Sequence, residues 1–479
     1  MQKKFITNLA LLMVLNLLIK PFWILGIDRA VQNAVGPSEY GFYYALFNFS
    51  FLFNILLDFG ITNFNNKNIA QNGHLLNKHL SSIIVLRFIL AGFYIVISVI
   101  AGLLIGYNMV QMKMLFLLCF NQVLISSILY LRSNIAGLHL FKTDSFLSVL
   151  DRMIMISICG MLLWSGMINQ PFRIEWFIYA QTVSYLITVL VTLVIVIDRA
   201  KLKKLNTSRA FFLMILKKSY PYAILVLLMT FYNRIDSVMV ERMLPDGSHQ
   251  SGVYASAYRL LDSANMIAFL FAGLLLPMFS RMIKLAQPVE ELVRLAFCLL
   301  VVPAVAIAIT SFFHSSSIMA LLYHDHIDES SAIYRVLMFC FVPISATYIF
   351  GTLLTANGNM KELNIMACIG MIINITLNVL FIPHYKALGS AFSSLGTQLI
   401  TAIAQVSIAQ KLFRFRINYL FLGKLVVFVA GCIAINRGMS GLPYNWTIQF
   451  LGSAAGCICM AFTLGLISIK NILNILRYG

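Results

Sequence analysis

Six charged residues inside or beside long apolar stretches are the side chains best placed to do chemistry in this 479-residue chain. The bases are Lys20, Arg234 and Arg259, and the acids are Asp58, Asp236 and Asp262. An ionised side chain at the centre of a bilayer costs about 2.5–3.5 kcal/mol, so each of them needs water, a partner or a ligand. A wet cationic cavity would bind an anion such as a phosphate, and a nearby carboxylate could exchange protons.

Two interpretations of these charges stay open. Arg234 and Asp236 fall in the second half of one apolar run, and Arg259 and Asp262 are one helical turn apart on the next run, at a spacing that allows an internal pair. In the structural interpretation, salt bridges clamp the two helices together, and Lys20 pairs with one of the acids. In the functional interpretation, the three bases face an anionic ligand in a cavity, and the acids carry coupling protons or cations.

Other intramembrane bases lie close to the ends of their apolar runs. Long basic side chains in such positions can extend to the membrane surface, so we expect snorkelling for them. This set comprises Arg87, Arg132, Arg152, Arg242, Arg294, Arg335 and Lys424. Lys20 differs because it lies about eleven residues, or roughly 16 Å, beyond the cytoplasmic start of its run.

The composition excludes a soluble globular protein. Hydrophobic residues make up 60% of the chain, charged residues 11%, and the mean hydropathy is +0.87. The net charge of +18 is spread over short loops, which indicates anionic membrane lipids rather than nucleic acid as a partner. All eight cysteines lie in apolar runs, and no nucleophile elbow, phosphate-binding loop or metal motif stands out. We expect no catalytic residue, no cofactor and no metal.

The elements that position these residues are about fourteen membrane-spanning helices. A backbone in lipid must satisfy its own hydrogen bonds, so apolar runs of about 20 residues predict helices and an all-α fold. The runs begin near Leu9, Tyr40, Ser82, Met114, Phe146, Ile174, Tyr220, Val253, Leu292, Tyr334, Leu363, Gly389, Leu420 and Ile448. Alternate loops collect twenty basic residues on one side and five on the other, which predicts that both termini are cytoplasmic.

A basic, amphipathic connector near the middle of the chain suggests two lobes. The predicted division is an N-terminal lobe of six helices over 1–200, a cytoplasmic connector over 201–218, a C-terminal lobe of six helices over 219–412 and two appended helices over 413–479. A faint repeat supports this division, because Gly41 and Tyr43 match Gly252 and Tyr254 at the heads of the second and eighth spans.

Three groups of motifs resemble a known transporter family. The first runs from Gly36-Pro37 through Gly41-Phe42-Tyr43 to Asp58-Phe59-Gly60-Ile61. The second runs from Arg234-Ile235-Asp236 through Gly252-Val253-Tyr254 and Arg259-Leu260 to Pro277-Met278-Phe279-Ser280-Arg281. The third is Asn378 to Pro383 with Ala387 to Ala391. Together they resemble bacterial polysaccharide flippases, the Wzx-type O-antigen translocases of the multidrug/oligosaccharidyl-lipid/polysaccharide (MOP) superfamily.

This resemblance implies a two-lobed transporter that works by alternating access in the bacterial inner membrane. Its substrate would be an undecaprenyl-diphosphate-linked oligosaccharide, presented to a cationic lumen that fits Lys20, Arg234 and Arg259. Membrane lipids and the polysaccharide polymerase machinery are the further partners that we expect. Proton coupling would involve Asp58, Asp236 or Asp262.

Two other functions are consistent with the sequence. A multidrug or small-cation exporter on the same scaffold would favour acidic and aromatic cavity walls. A glycan polymerase or ligase would need a sizeable outer loop with clustered acids or arginines, whereas the longest outer loop, near His314 to Ser331, is short and contains no arginine.

Overall fold

The chain is an all-helical polytopic membrane protein, as the sequence predicts. The computed structural model describes residues 14–16, 18–62, 65, 75–138, 140–165, 170–200, 209–415 and 418–467, and no strand occurs among them. Several predicted cytoplasmic features lie outside these ranges: residues 201–208 of the connector and the bases Lys3, Lys4, Lys67, Arg416, Lys470 and Arg477. Eleven helices in the described ranges are long and apolar enough to cross a membrane.

The described residues divide into two compact units, Met1–Gly252 and Val253–Gly479. In the first unit, helical residues 18–22 lead into a π-helical segment, Trp23–Asp28, which continues into α1. The helices that follow are α1 (Arg29–Leu52), α2 (Leu75–Ile105), α3 (Met109–Gly137), α4 (Phe141–Trp164), α5 (Ile174–Ala200) and α6 (Arg209–Met243). A short 3₁₀ turn, Asn54–Leu57, follows α1.

Helix α7 (Gly247–Lys284) begins in the first unit and supplies the start of the second. The second unit continues with α8 (Glu290–Phe313), α9 (Ser315–Leu322), α10 (Ile327–Asn357), α11 (Met360–Phe413), α12 (Tyr419–Ser440) and α13 (Trp446–Thr463). Buried residues of α8, α12 and α13 form one apolar cluster of this unit, around Val302, Phe428 and Cys457.

Helix α11 is two arms joined at a break. Its 54 residues are far more than one membrane crossing needs, and Lys386 interrupts it with φ 52° and ψ −135°. The arms, 360–385 and 387–413, coincide with the predicted runs near Leu363 and Gly389. Ser390 Oγ donates to Asn378 Oδ1 over 2.8 Å and ties the arms together, and Gly389 lies directly against the Phe381 carbonyl.

A ladder of hydroxyl groups runs along one helix in each unit. On α5, Ser184, Thr188 and Thr192 are fully buried, and each donates to the carbonyl oxygen four residues earlier at 2.6–2.8 Å. On the second arm of α11, Ser393, Thr397 and Thr401 do the same at 2.8–3.0 Å. Back-bonding satisfies each donor within its own helix, so small polar residues can line a tightly packed helix face in a membrane.

We expect Gly389→Ala to destabilise the second unit, because the new Cβ would overlap the Phe381 carbonyl and force the two arms apart. The matched control is Gly273→Ala on α7, where a Cβ meets nothing within 4 Å and a helix gains about 0.5–1 kcal/mol from the exchange. Thermal unfolding of both variants in detergent measures the difference. A Gly389→Ala melting temperature equal to that of wild type would contradict the close approach.

Candidate functional site

Lys20 lies in a cluster of charges contributed by three helices of the first unit. Its electrostatic neighbours are Arg152 and Asp151 on α4 and Arg132 on α3. Arg132 Nε is 2.8 Å from Asp144 Oδ1, and Arg152 Nε is 3.4 Å from Asp151 Oδ2. Asp151 is the acid that acts electrostatically on Lys20 in this cluster, and a pairing of Lys20 with Asp236 or Asp262 stays a prediction. Among the described residues, these contacts bring three bases, Lys20, Arg132 and Arg152, together with two carboxylates, Asp144 and Asp151.

Aromatic rings form one wall of this cationic cluster. The guanidinium carbon of Arg152 is 5.4 Å from the centroid of the Trp23 ring and 5.9 Å from that of Tyr185. Trp23 in turn stacks on Phe177, with parallel rings whose centroids are 5.7 Å apart. Contact with ring faces stabilises a cation without neutralising it. The Arg152 side chain is 27% exposed.

Arg132 and Arg152 are site residues that the sequence reasoning missed. Their distance from a span end predicted snorkelling, but their guanidinium groups are partnered within the protein. Arg152 lies nearer the start of its apolar run than Lys20 does, so its depth in the sequence gave no signal. Depth alone cannot show which face of a helix a side chain occupies.

Arg234 and Asp236 lie where α6 packs against α1. The guanidinium carbon of Arg234 is 5.6 Å from the centroid of the Phe51 ring. Asp236 is 1% exposed, and its neighbour Ser237 accepts a hydrogen bond from Asn48 Nδ2 at 2.8 Å. The two helices are thus joined by a polar contact beside a buried acid.

Asp58 is engaged by a buried arginine. Arg87 Nη1 on α2 is 2.7 Å from Asp58 Oδ1, and Nη2 of the same side chain donates to the Ser126 carbonyl at 2.7 Å. The backbone nitrogen and hydroxyl of Thr62 also donate to the Asp58 carboxylate. Arg87 was expected to snorkel, but its side chain is only 9% exposed and packs over the Tyr130 ring. The pair fixes the irregular segment after α1, where Phe59 and Gly60 have positive φ.

Arg259 and Asp262 belong to the second unit. Arg259 Nη1 is 3.8 Å from Asp262 Oδ2, and both side chains are mostly buried, at 14% and 17% exposed. The internal pair that their spacing predicted is present. Convergence of Arg259 with Lys20 and Arg234 on one chamber stays a prediction.

Two glycines of the faint repeat touch each other in the first unit. A Cβ on Gly41 would overlap the Ser248 carbonyl and the Gly252 nitrogen, and a Cβ on Gly252 would overlap the Pro37 carbonyl. Gln32 Nε2 also donates to the Gly252 carbonyl at 2.9 Å. The start of α7 therefore packs backbone to backbone on α1, a close approach that only glycine permits.

Comparison with known proteins identifies a family and a fold. The model of a family described as polysaccharide biosynthesis protein matches residues 6–283. No curated protein sequence matches the chain significantly.

Solved structures of transporters share the architecture. The lipid II flippase MurJ in an inward closed conformation superimposes with a TM-score of 0.74 at 15% identity, over 97% of this chain and 100% of that one. A MOP superfamily transporter from Pyrococcus furiosus gives 0.61 at 14% identity, over 86% and 97%. An inward-facing multidrug resistance MATE transporter gives 0.59 at 14% identity, over 86% and 99%. At these identities the likeness establishes the fold.

We expect Asp58→Ala to lower the free energy of unfolding by about 3 kcal/mol, because it leaves a buried guanidinium without its counter-charge. Arg87→Met should lower the free energy of unfolding less in the Asp58→Ala background than in the wild type. The double-mutant cycle should give a coupling free energy of at least about 1 kcal/mol. Chemical unfolding of the four proteins in detergent measures this coupling. The control is the exposed pair Arg199 and Asp198, with N–O 3.8 Å, for which we expect no measurable coupling. Equal coupling in the two pairs would contradict the burial argument.

Proposed function

Because the chain belongs to the polysaccharide biosynthesis protein family, we propose that it flips an undecaprenyl-diphosphate-linked oligosaccharide across the bacterial inner membrane. It is a multi-pass membrane protein of the MOP superfamily, and this is a family of transporters, so the prediction that the chain is not an enzyme is confirmed. The glycan would move from the inner to the outer leaflet by alternating access. Both termini would lie in the cytoplasm.

The cationic cluster of Lys20, Arg132 and Arg152 is the observation that carries this proposal. A diphosphate offers several anionic oxygens, and a guanidinium can bind two of them at once. Three bases gathered in one cluster would attract such a headgroup from the membrane surface. The ring faces of Trp23 and Tyr185 are suited to stacking against a sugar. Arg234 and Arg259 would complete the cationic lumen that the family resemblance implies.

The same cluster argues against export of small cations. A binding site for cationic drugs would place carboxylates in excess over bases, so that burial of the ligand is compensated. Among the described residues, this cluster contains three bases and two acids. The prenyl chain of an anionic carrier lipid can stay in the bilayer while its headgroup is held by the protein.

The proposed cycle needs two lobes that rock against each other. The lobes would be residues 1–200 and 219–412, joined by the connector 201–218, with residues 413–479 appended. Support comes from the two hydroxyl ladders, because Ser184, Thr188 and Thr192 match Ser393, Thr397 and Thr401 at one constant separation in the sequence. A ladder repeated in this way is expected when the sixth and twelfth spans are equivalent helices of two repeats.

We expect Arg152→Ala and Lys20→Ala to reduce surface glycan at least about tenfold, since each removes a charge-assisted contact of about 1.5–3 kcal/mol. Arg234→Ala and Arg259→Ala should have the same effect. The measurement is glycan on cells of a deletion strain that carries each variant, together with the amount of protein in the membrane. Arg199→Ala, at an exposed position, is the matched control.

Lipid-linked glycan should accumulate on the cytoplasmic face in the failing variants. Full surface glycan in all four single variants and in Lys20→Ala with Arg152→Ala would refute the cationic site. Accumulation on the outer face would point to a defect after flipping and would refute the proposed function.

Coupling to protons is a separate part of the proposal. Asp58, Asp236 and Asp262 are the candidates, since a carboxylate that loses its charge releases the base or ligand beside it. We expect flipping of the lipid-linked oligosaccharide in proteoliposomes to accelerate under an imposed pH gradient and to slow when an ionophore collapses it. A flipping rate that does not change with the gradient would refute proton coupling and would not affect the substrate assignment.

A further inference from the structure

A second charged cluster of the first unit joins the loop after α2 to the end of α6. Gln111 Nε2 donates to Glu241 Oε1 at 3.0 Å, and Arg242 Nη2 donates to Gln111 Oε1 at 2.9 Å. The guanidinium carbon of Arg242 lies 4.1 Å from the centroid of the Tyr107 ring. We call these four residues, Tyr107, Gln111, Glu241 and Arg242, the latch.

The latch is held in place from both sides. Gln111 belongs to a capping box at the start of α3, in which it exchanges hydrogen bonds with Asn108. Phe49 of α1 packs edge-on against the Tyr107 ring, with centroids 5.1 Å apart. Burial raises the pKa of Tyr107 well above its ordinary value, and Glu241 raises it further, so the phenol stays neutral.

Glu241 is the one carboxylate of the latch, and it is buried. Its side chain is 7% exposed, and Oε2 lies 3.0 Å from Arg242 Nε. The N–H of that nitrogen is not directed at the oxygen, so the contact is an ion pair rather than a hydrogen bond. The charged and titratable groups that act on Glu241 among the described residues are Arg242, on its own helix, and Tyr107, on the facing loop.

The latch lies on the side of the membrane that the charge distribution predicts to be outer. The loop 106–108 and the loop 244–246 both fall on that side, as does the start of α1. The backbone contact of Gly41 with Ser248 and Gly252 lies on the same side. An alternating-access transporter must separate these helix ends to release its substrate outward.

We propose that Glu241 is a proton-binding residue whose ionised form holds the outer ends of these helices closed. This inference rests on the proposed function. A proton from the outer water would add to the carboxylate oxygen and remove the counter-charge of Arg242, whose side chain is 27% exposed. The contacts of Arg242 and Glu241 with Gln111 would then weaken, and the latch would open. Loss of that proton after release of the substrate would restore the ion pair and close the outer end again.

The experiment follows the accessibility of Ser251, which is fully buried at the start of α7. A Ser251→Cys variant of the full chain, in cells or right-side-out vesicles, is treated with a membrane-impermeant maleimide at about pH 7.5 and about pH 5.5. Labelling is read at that residue by mass spectrometry. Each labelling rate is divided by the rate for Ser38→Cys, an exposed position. This corrects for the loss of thiol reactivity as the pH is lowered.

With Glu241 intact, we expect relative labelling at the lower pH to rise about tenfold. Glu241→Gln in the Ser251→Cys background should label rapidly at both pH values, because the amide mimics the protonated acid. Glu39→Gln, at an exposed carboxylate on α1, should behave as the unmodified background does. Slow labelling of Glu241→Gln, or a pH response that survives this substitution, would overturn the proposal.

Flipping of lipid-linked oligosaccharide is measured on the same variants in proteoliposomes, so that the two hypotheses can fail separately. Labelling that depends on Glu241 without any flipping would refute the proposed function and support the role of the latch. Gradient-dependent flipping by Glu241→Gln at the wild-type rate would refute the role of the latch and support the proposed flippase function.

Discussion

The cost of an unpaired charge in a low-dielectric environment governs the polar architecture of this protein. Arg87 and Asp58, Arg132 and Asp144, and Arg259 and Asp262 all pair within the protein, at 2.7–3.8 Å. Removal of one partner leaves the other stranded. The pairs Arg87–Asp58 and Arg132–Asp144 each join two different segments, so those segments depend on each other. The cluster around Lys20 differs from these pairs, because it brings three bases together.

Small residues bring helix backbones close together in this fold, beside a core of large apolar side chains. Lipid tails are as apolar as leucine, so burial of leucine against leucine gives little driving force between spans. The contact of Gly41 with Gly252 and the buried serines and threonines of α5 and α11 bring backbones together instead. Such surfaces keep their hydrogen bonds inside each helix, and one helix can separate from another without exposing an unsatisfied donor.

The sequence predicts the helices well and the lateral contacts poorly. Each of the apolar runs in the described ranges coincides with a helix, because a bilayer fixes both the length and the hydrogen bonding of a span. The pair on α7 was predictable because Arg259 and Asp262 are one turn apart on one helix. The contacts of Arg87 with Asp58, of Arg152 with Trp23 and of Glu241 with Gln111 depend on which segments are neighbours, and a single sequence does not contain that information.

The π-helical segment Trp23–Asp28 lies between two of the residues that hold the first unit together. Lys20 precedes it, and Asp28, at its end, accepts a hydrogen bond from the Tyr40 hydroxyl at 2.8 Å. A π turn holds one residue more than an α turn, so its conversion to α geometry shifts the preceding chain by one position, or about 100° of rotation. That rotation would swing the Lys20 ammonium around the helix axis while Asp28 stays anchored. Such a conversion would turn Lys20 relative to Asp28 without bending the helix.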